Sequence, residues 1–149
     1  MWSEIKRLGK LERGRKTLLA EALAALAMAQ LAMIFIPFRQ IARWLGTAGA
    51  ESPAEASERE MRIAEEIGWA VSALARRVPW DGRCLAQALA ATWMLRRRGL
   101  EGTVSFGARR GERAGFDAHA WLRVGSRMVT GGPEHQSFQI FTTIARRRM

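Results

Sequence analysis

Two side chains in this sequence could carry out covalent chemistry on a carbonyl carbon: its one cysteine, Cys84, and a later histidine, His119. A thiolate is the nucleophilic form of cysteine, and an imidazole within reach can take up a proton and return it. Asp81 is a good N-cap residue, so a helix starting there places Cys84 in its first turn. The unpaired backbone N–H groups and the dipole at a helix start favour negative charge on the sulphur. They can also donate to the oxyanion that forms when a carbonyl is attacked. With no second cysteine an internal disulfide is impossible, so Cys84 is either an inert buried thiol or a reactive one, and a reducing, cytoplasmic setting is expected.

The elements that must position this pair follow from periodicity. Ser52-Pro-Ala-Glu55 reads as a capping box opening a helix to about Arg77, with Met61, Ala64, Ile67, Val71 and Leu74 on one face. A further helix from near Asp81 carries Leu85, Ala88, Leu89, Thr92 and Leu95 and stops at Gly99. Beyond Gly99 the period becomes two. Thr103 to Ala108 forms a strand. In the next strand Phe116, Ala118, Ala120, Leu122 and Val124 share one face, while Asp117, His119, Trp121 and Arg123 share the other. Gly125-Ser126 turns the chain into a strand over Arg127 to Thr130, and Phe138, Ile140, Thr142 and Ile144 mark a last one before a basic tail. Helices first and an antiparallel meander after them make an α+β fold.

The 149 residues suit one domain, with a helical N-terminal lead over 1–46, a linker over Thr47 to Ser52 and a core over 52–149. The first 16 residues read as a short basic helix or frayed lead-in. Thr17 to Phe38 is long and apolar enough to cross a bilayer, but Glu21 and Gln30 interrupt it. Its stripe of Leu19, Leu23, Leu26, Gln30 and Ile34 predicts a soluble helix buried against the rest of the protein, which is favoured over membrane contact through residues 17–38. Pro37 ends that helix, and Ile41 to Leu45 adds a turn or two closed by Gly46.

The net charge is +10 and unevenly laid out. Six carboxylates fall within residues 51–66, whereas from residue 67 onward fourteen arginines face five acids, a surplus of nine. Such a body suits an acidic partner, a nucleic acid or an anionic membrane surface, or is simply a solvated basic surface. Nucleic acid is disfavoured, because no aromatic residues are interleaved with the arginines as stacking platforms.

The segments RCLAQALA (Arg83–Ala90), LRRRG (Leu95–Gly99) and AHAWL (Ala118–Leu122), with LLAEA, IPFR and WLG (Trp44–Gly46) upstream, resemble the stand-alone leader peptidases of lasso-peptide biosynthesis. These are transglutaminase-like, papain-like cysteine peptidases, and cysteine at a helix start before histidine on a strand is their chain order. The resemblance implies a transglutaminase-like core beneath the N-terminal helices, Cys84 as nucleophile and His119 as general base and acid, with no cofactor and no metal. It also implies as partners the leader region of a ribosomally made precursor, a leader-binding recognition-element protein and an ATP-dependent macrolactam cyclase. The scissile bond would follow the leader's last residues, with a threonine favoured at the penultimate position. The basic body could then hold an acidic stretch of the leader or of the protein presenting it. A transglutaminase-like acyltransferase and a non-catalytic peptide-binding module are the rival readings.

Some family members place an aspartate about a dozen residues beyond the histidine. That position falls here on Thr130-Gly131-Gly132, which has no carboxylate. Asp117, Glu134, a backbone carbonyl or a water could orient His119 instead. Trp121 walls a cleft or packs under the helices, and Gln87 reaches an oxyanion or fills a polar gap. His135 is a loop residue without the paired spacing of a metal ligand. Arg96 to Arg98 and Arg146 to Arg148 read as solvated cations at a helix end and in a tail.

Overall fold

The computed structural model describes residues 2–78, 84–110, 115–131 and 137–146. The elements in chain order are α1 (Trp2–Phe35), α2 (Phe38–Leu45), β1 (Thr47–Ala48), α3 (Glu58–Ala75), α4 (Cys84–Arg97), β2 (Thr103–Arg110), β3 (Phe116–Val124), β4 (Arg127–Thr130) and β5 (Gln139–Ala145). The α+β class expected from the sequence is the one found. The basic lead-in and the apolar segment form one 34-residue helix rather than two pieces, ending just before Pro37.

The strands form one antiparallel sheet in the order β1-β5-β2-β3-β4. This is not the simple meander expected, because β5 crosses back to pair with β2. The eight residues of β2 offer a longer ladder than the four of β4. Thr47 and Ala48, assigned to a linker, pair with Ala145 and Ile144 at the sheet edge.

The inward face of β3 follows the predicted alternation: Ala120, Leu122 and Val124 are buried. They meet Ile67 and Val71 of α3 and Leu89, Met94 and Leu95 of α4 in the main core. Helix α3 begins five residues later than predicted. Its capping box is Ser57 with Glu60, each side chain bonded to the other's backbone N–H. Ser52 offers the same motif but is buried, where its backbone N–H and hydroxyl both bond the Thr103 hydroxyl. Two equivalent local signals existed, and a tertiary contact decided between them.

Helix α1 follows the predicted stripe only in part: Leu26 is in the core and Leu19 packs against it, but the buried face is turned toward the alanines. Ala22, Ala25, Leu26 and Ala29 are buried, while Leu23 and Ile34 of the expected stripe are 44 % and 62 % exposed. Small side chains let α1 approach the helices beneath it closely, which excludes the larger residues from that contact. The same geometry assigns new roles to two of the arginines expected to be solvated. Arg98 donates from both terminal nitrogens to the two Glu21 oxygens, joining α4 to α1. Arg96 lies over the Trp44 ring at 4.6 Å and donates to the Trp44 and Leu45 carbonyls, satisfying the end of α2. Burial pushes the Arg96 guanidinium below its ordinary value, against the opposing pull of Glu101.

The hydrogen bond from Arg98 holds the Glu21 carboxyl below its ordinary value of 4.5, outweighing the opposing effect of burial. A carboxyl lowered in this way stabilises the folded state above its unfolded value and stops doing so as the pH falls through the folded one. Wild type is therefore expected to exceed Glu21→Gln in stability at neutral pH. Urea unfolding at stepped pH should show that excess shrinking below about pH 4.5 and vanishing in stronger acid. A difference independent of pH would contradict the pairing.

Candidate functional site

Within the described residues α4 opens with Cys84, half-buried, so its backbone N–H belongs to the first turn, where such groups have no partner inside the helix. Asp81, the expected N-cap, lies outside the described residues. Packing of α4 on β3 brings the start of the helix to the middle of the strand. There the Ala120 N–H donates to Cys84 Sγ at 3.4 Å. The pairing of β4 with β3 reaches only to Leu122, so the sulphur meets β3 just past the end of that ladder. Cys84 thus sits one residue along the strand from His119. Among the described residues no hydrogen bond joins Sγ to the imidazole. In unliganded sites such contacts are often long and close only around substrate.

His119 points away from the main core, as its alternation predicts, and is half-buried. Its Nε2 lies 2.9 Å from the Gly131 carbonyl oxygen. A carbonyl can only accept, so Nε2 carries the proton in the neutral ring and Nδ1 keeps its lone pair. The orienting group left open by the sequence is therefore a backbone carbonyl, at the chain position where a carboxylate is lacking. Glu134 and His135 lie outside the described residues, as does the side chain of Asp117.

Aromatic rings fix the imidazole from two directions. Phe138 stacks on it with centroids 4.9 Å apart and an interplanar angle of 26°. Trp121, 3 % exposed, lies 5.7 Å away. Neither belongs to the main core cluster, so Trp121 walls the site instead of packing under the helices. Arg109 also lies over Phe138, its guanidinium 4.4 Å from the ring centroid, and donates to the Ser137 hydroxyl. This puts a cation against the aromatic wall, two residues along β2 from Gly107.

Two glycines make room for this packing. A Cβ on Gly107, which pairs with His119 across the ladder, would come within 2.8 Å of the Trp121 ring. The β2–β5 register shifts between Phe106 and Gly107, a bulge beside the site. Gly131 has φ +101°, and a Cβ there would lie 2.3 Å from Trp121 Cβ and 3.3 Å from His119 Nε2. Sequence reasoning missed Gly107, Gly131 and Phe138 as site residues. Glycine in a two-residue period signals close approach or a bulge, a clue that could have found Gly107. Phe138 carried no such signal, since it reads as an ordinary strand residue.

The described residues contain no group of three or more His, Cys, Asp or Glu placed to hold a metal ion. What is assembled is a sulphur at a helix start, a strand amide aimed at it, and an imidazole of fixed tautomer on the neighbouring strand residue. These are the parts that acyl transfer through a thioester requires.

Gly131→Ala is expected to push the carbonyl away from Nε2 and release the tautomer. In the wild type, nitrogen NMR of the neutral ring should show a pyrrole-type Nε2 and a pyridine-type Nδ1; the variant should show a mixture. A wild-type ring protonated on Nδ1 would refute the assignment.

Residues 32–143, well over half of the chain, match the family model described as Transglutaminase-like superfamily. Comparison with curated proteins and with solved structures gives no significant match. The chain belongs to the transglutaminase-like superfamily, whose α+β fold it shares.

Proposed function

We propose that this transglutaminase-like chain is a cysteine peptidase that releases the leader from a ribosomally made lasso-peptide precursor before macrolactam closure. The observation carrying the reading is the Ala120 amide bonded to Cys84 Sγ beside a His119 whose Nε2 is held by Gly131. The finer assignment to lasso precursors rests on the RCLAQALA and AHAWL segments, which carry this pair.

Cys84 Sγ attacks the carbonyl carbon of the leader's last residue, and its proton passes to His119 Nδ1. The amide N–H groups at the start of α4 donate to the oxyanion. The Ala120 N–H supports the sulphur's charge as it attacks and again as it leaves. When the C–N bond breaks, His119 returns the proton to the departing nitrogen, which becomes the free α-amine of the core peptide. The leader remains as a thioester on Cys84. Water, deprotonated by His119, then attacks that carbonyl, the C–S bond breaks, and the leader leaves as a carboxylate. A separate recognition-element protein presents the leader, and an ATP-dependent cyclase uses the freed amine. The arginine surplus of the body suits an acidic stretch on the leader or on its presenting protein.

The test incubates the chain with a precursor and its leader-binding protein and follows leader release by mass. Cys84→Ala and His119→Ala should each slow release by about 10³-fold or more. Full activity in Cys84→Ala would overturn the mechanism. Transfer of the leader to an added amine in preference to water would assign the site to an acyltransferase instead. Cleavage should also weaken as salt rises, because exposed charge pairs are screened; a flat salt profile would exclude the acidic-stretch contact.

A further inference from the structure

We propose that the corner formed by the end of α1 and the start of α2 is a docking surface for an anionic lipid bilayer, entered from the interface and not spanned. This proposal is independent of the chemistry assigned to Cys84 and His119.

The stretch Gly14–Phe35 has the length and hydropathy of a membrane span, yet within it only Ala22, Ala25, Leu26 and Ala29 are buried in the fold. On the side of α1 away from the core, Leu31 is 54 % exposed, Ile34 62 % and Phe35 77 %. The row continues around Pro37 through Ile36 and Phe38, 41 % and 52 % exposed. Leu31, Ile34 and Phe35 share one face of α1 by helical spacing, Ile36 lines the neighbouring groove, and Phe38 is half exposed with one edge against Phe106; exposed apolar residues grouped in this way mark an interaction surface.

Spanning is excluded by the other face of the same helix. Ala22, Ala25, Leu26 and Ala29 are packed into the main core, and Glu21 is bound by Arg98 of α4. To cross a bilayer, α1 would have to abandon that core and carry Glu21 with it. Only the outward face is available, which is the geometry of an interfacial helix.

Charge selects the occupant. Between Glu21 and Glu51 there is no carboxylate, while Arg39 and Arg43 stand exposed on α2 next to Phe38. The segment that carries the apolar edge therefore brings cations and no carboxylate of its own, Glu101 near Trp44 being paired with Arg96, and this matches an anionic headgroup layer. Trp44, 39 % exposed, supplies the amphipathic ring that settles at headgroup depth. The groove between α1, α2 and α4, about 420 Å³ and walled by Met28, Ile36, Trp44 and Trp93, gives an acyl chain a place to lie.

Vesicle co-sedimentation of the full chain tests the proposal, using phosphatidylcholine alone and phosphatidylcholine mixed with phosphatidylglycerol. Wild type should bind the mixed vesicles and bind the neutral ones weakly. Arg39→Gln with Arg43→Gln should lower partitioning about tenfold or more. Ile34→Ser with Phe35→Ser, both highly exposed and therefore tolerable to the fold, should lower it by a similar factor while leaving the circular dichroism melt unchanged. Absence of binding to the mixed vesicles would overturn the proposal. Binding that survives Ile34→Ser with Phe35→Ser would do the same, as it would come from the remaining arginines without insertion. Self-association in sedimentation velocity that the serine variant abolishes would assign the face to a second copy, and would also overturn it.

Discussion

The hydrogen bond from the Ala120 amide to Cys84 Sγ joins the two halves of the candidate site, which lie far apart in sequence. It ties the first residue of α4 to the middle of β3. A bond of this kind contributes about 1 kcal/mol and could not hold a helix in place by itself. The placement comes from apolar burial: Leu89, Met94 and Leu95 on α4 against Ala120, Leu122 and Val124 on β3. What the bond adds is direction. Alternation along β3 sends Ala120 into the core and His119 the other way, so helix and histidine meet across the strand's own backbone.

The imidazole is held with unusual rigidity for a group without a carboxylate partner among the described residues. A carbonyl on Nε2 fixes the tautomer, and two aromatic rings fix the plane. Such ring contacts are each worth about 0.5–1.5 kcal/mol beyond the area they bury. A carboxylate would also stabilise the imidazolium by charge, whereas a carbonyl offers only its dipole. Among the described residues the ring is thus oriented by dipole and stacking, and the bulge at Gly107 and the positive φ of Gly131 are the backbone features that permit it.

The N-terminal helices follow a different rule. An alanine stripe lets α1 lie close on the domain, and the Glu21–Arg98 pair and the Arg96 contacts to the end of α2 secure it. Leu26 is the one large side chain of α1 fully buried among the described residues, while Leu23, Leu31, Ile34 and Phe35 stay exposed. Hydrophobicity alone pointed to burial of the larger side chains. The close approach of helix axes, which small side chains allow, kept Leu26 inside but turned Leu23 and Ile34 out.

The sequence by itself determined the α+β order, the Pro37 break, the stop of α4 at Gly99 and the faces of β3. Each depends on residues close together in the chain, where periodicity, caps and turn chemistry act. Tertiary structure alone decided which of two capping boxes opens α3, which face of α1 is buried, where β5 pairs, and what orients His119. All four depend on groups remote in sequence competing for the same space. The last is the least legible, because a carbonyl belongs to every residue and only the folded backbone selects which one meets the ring.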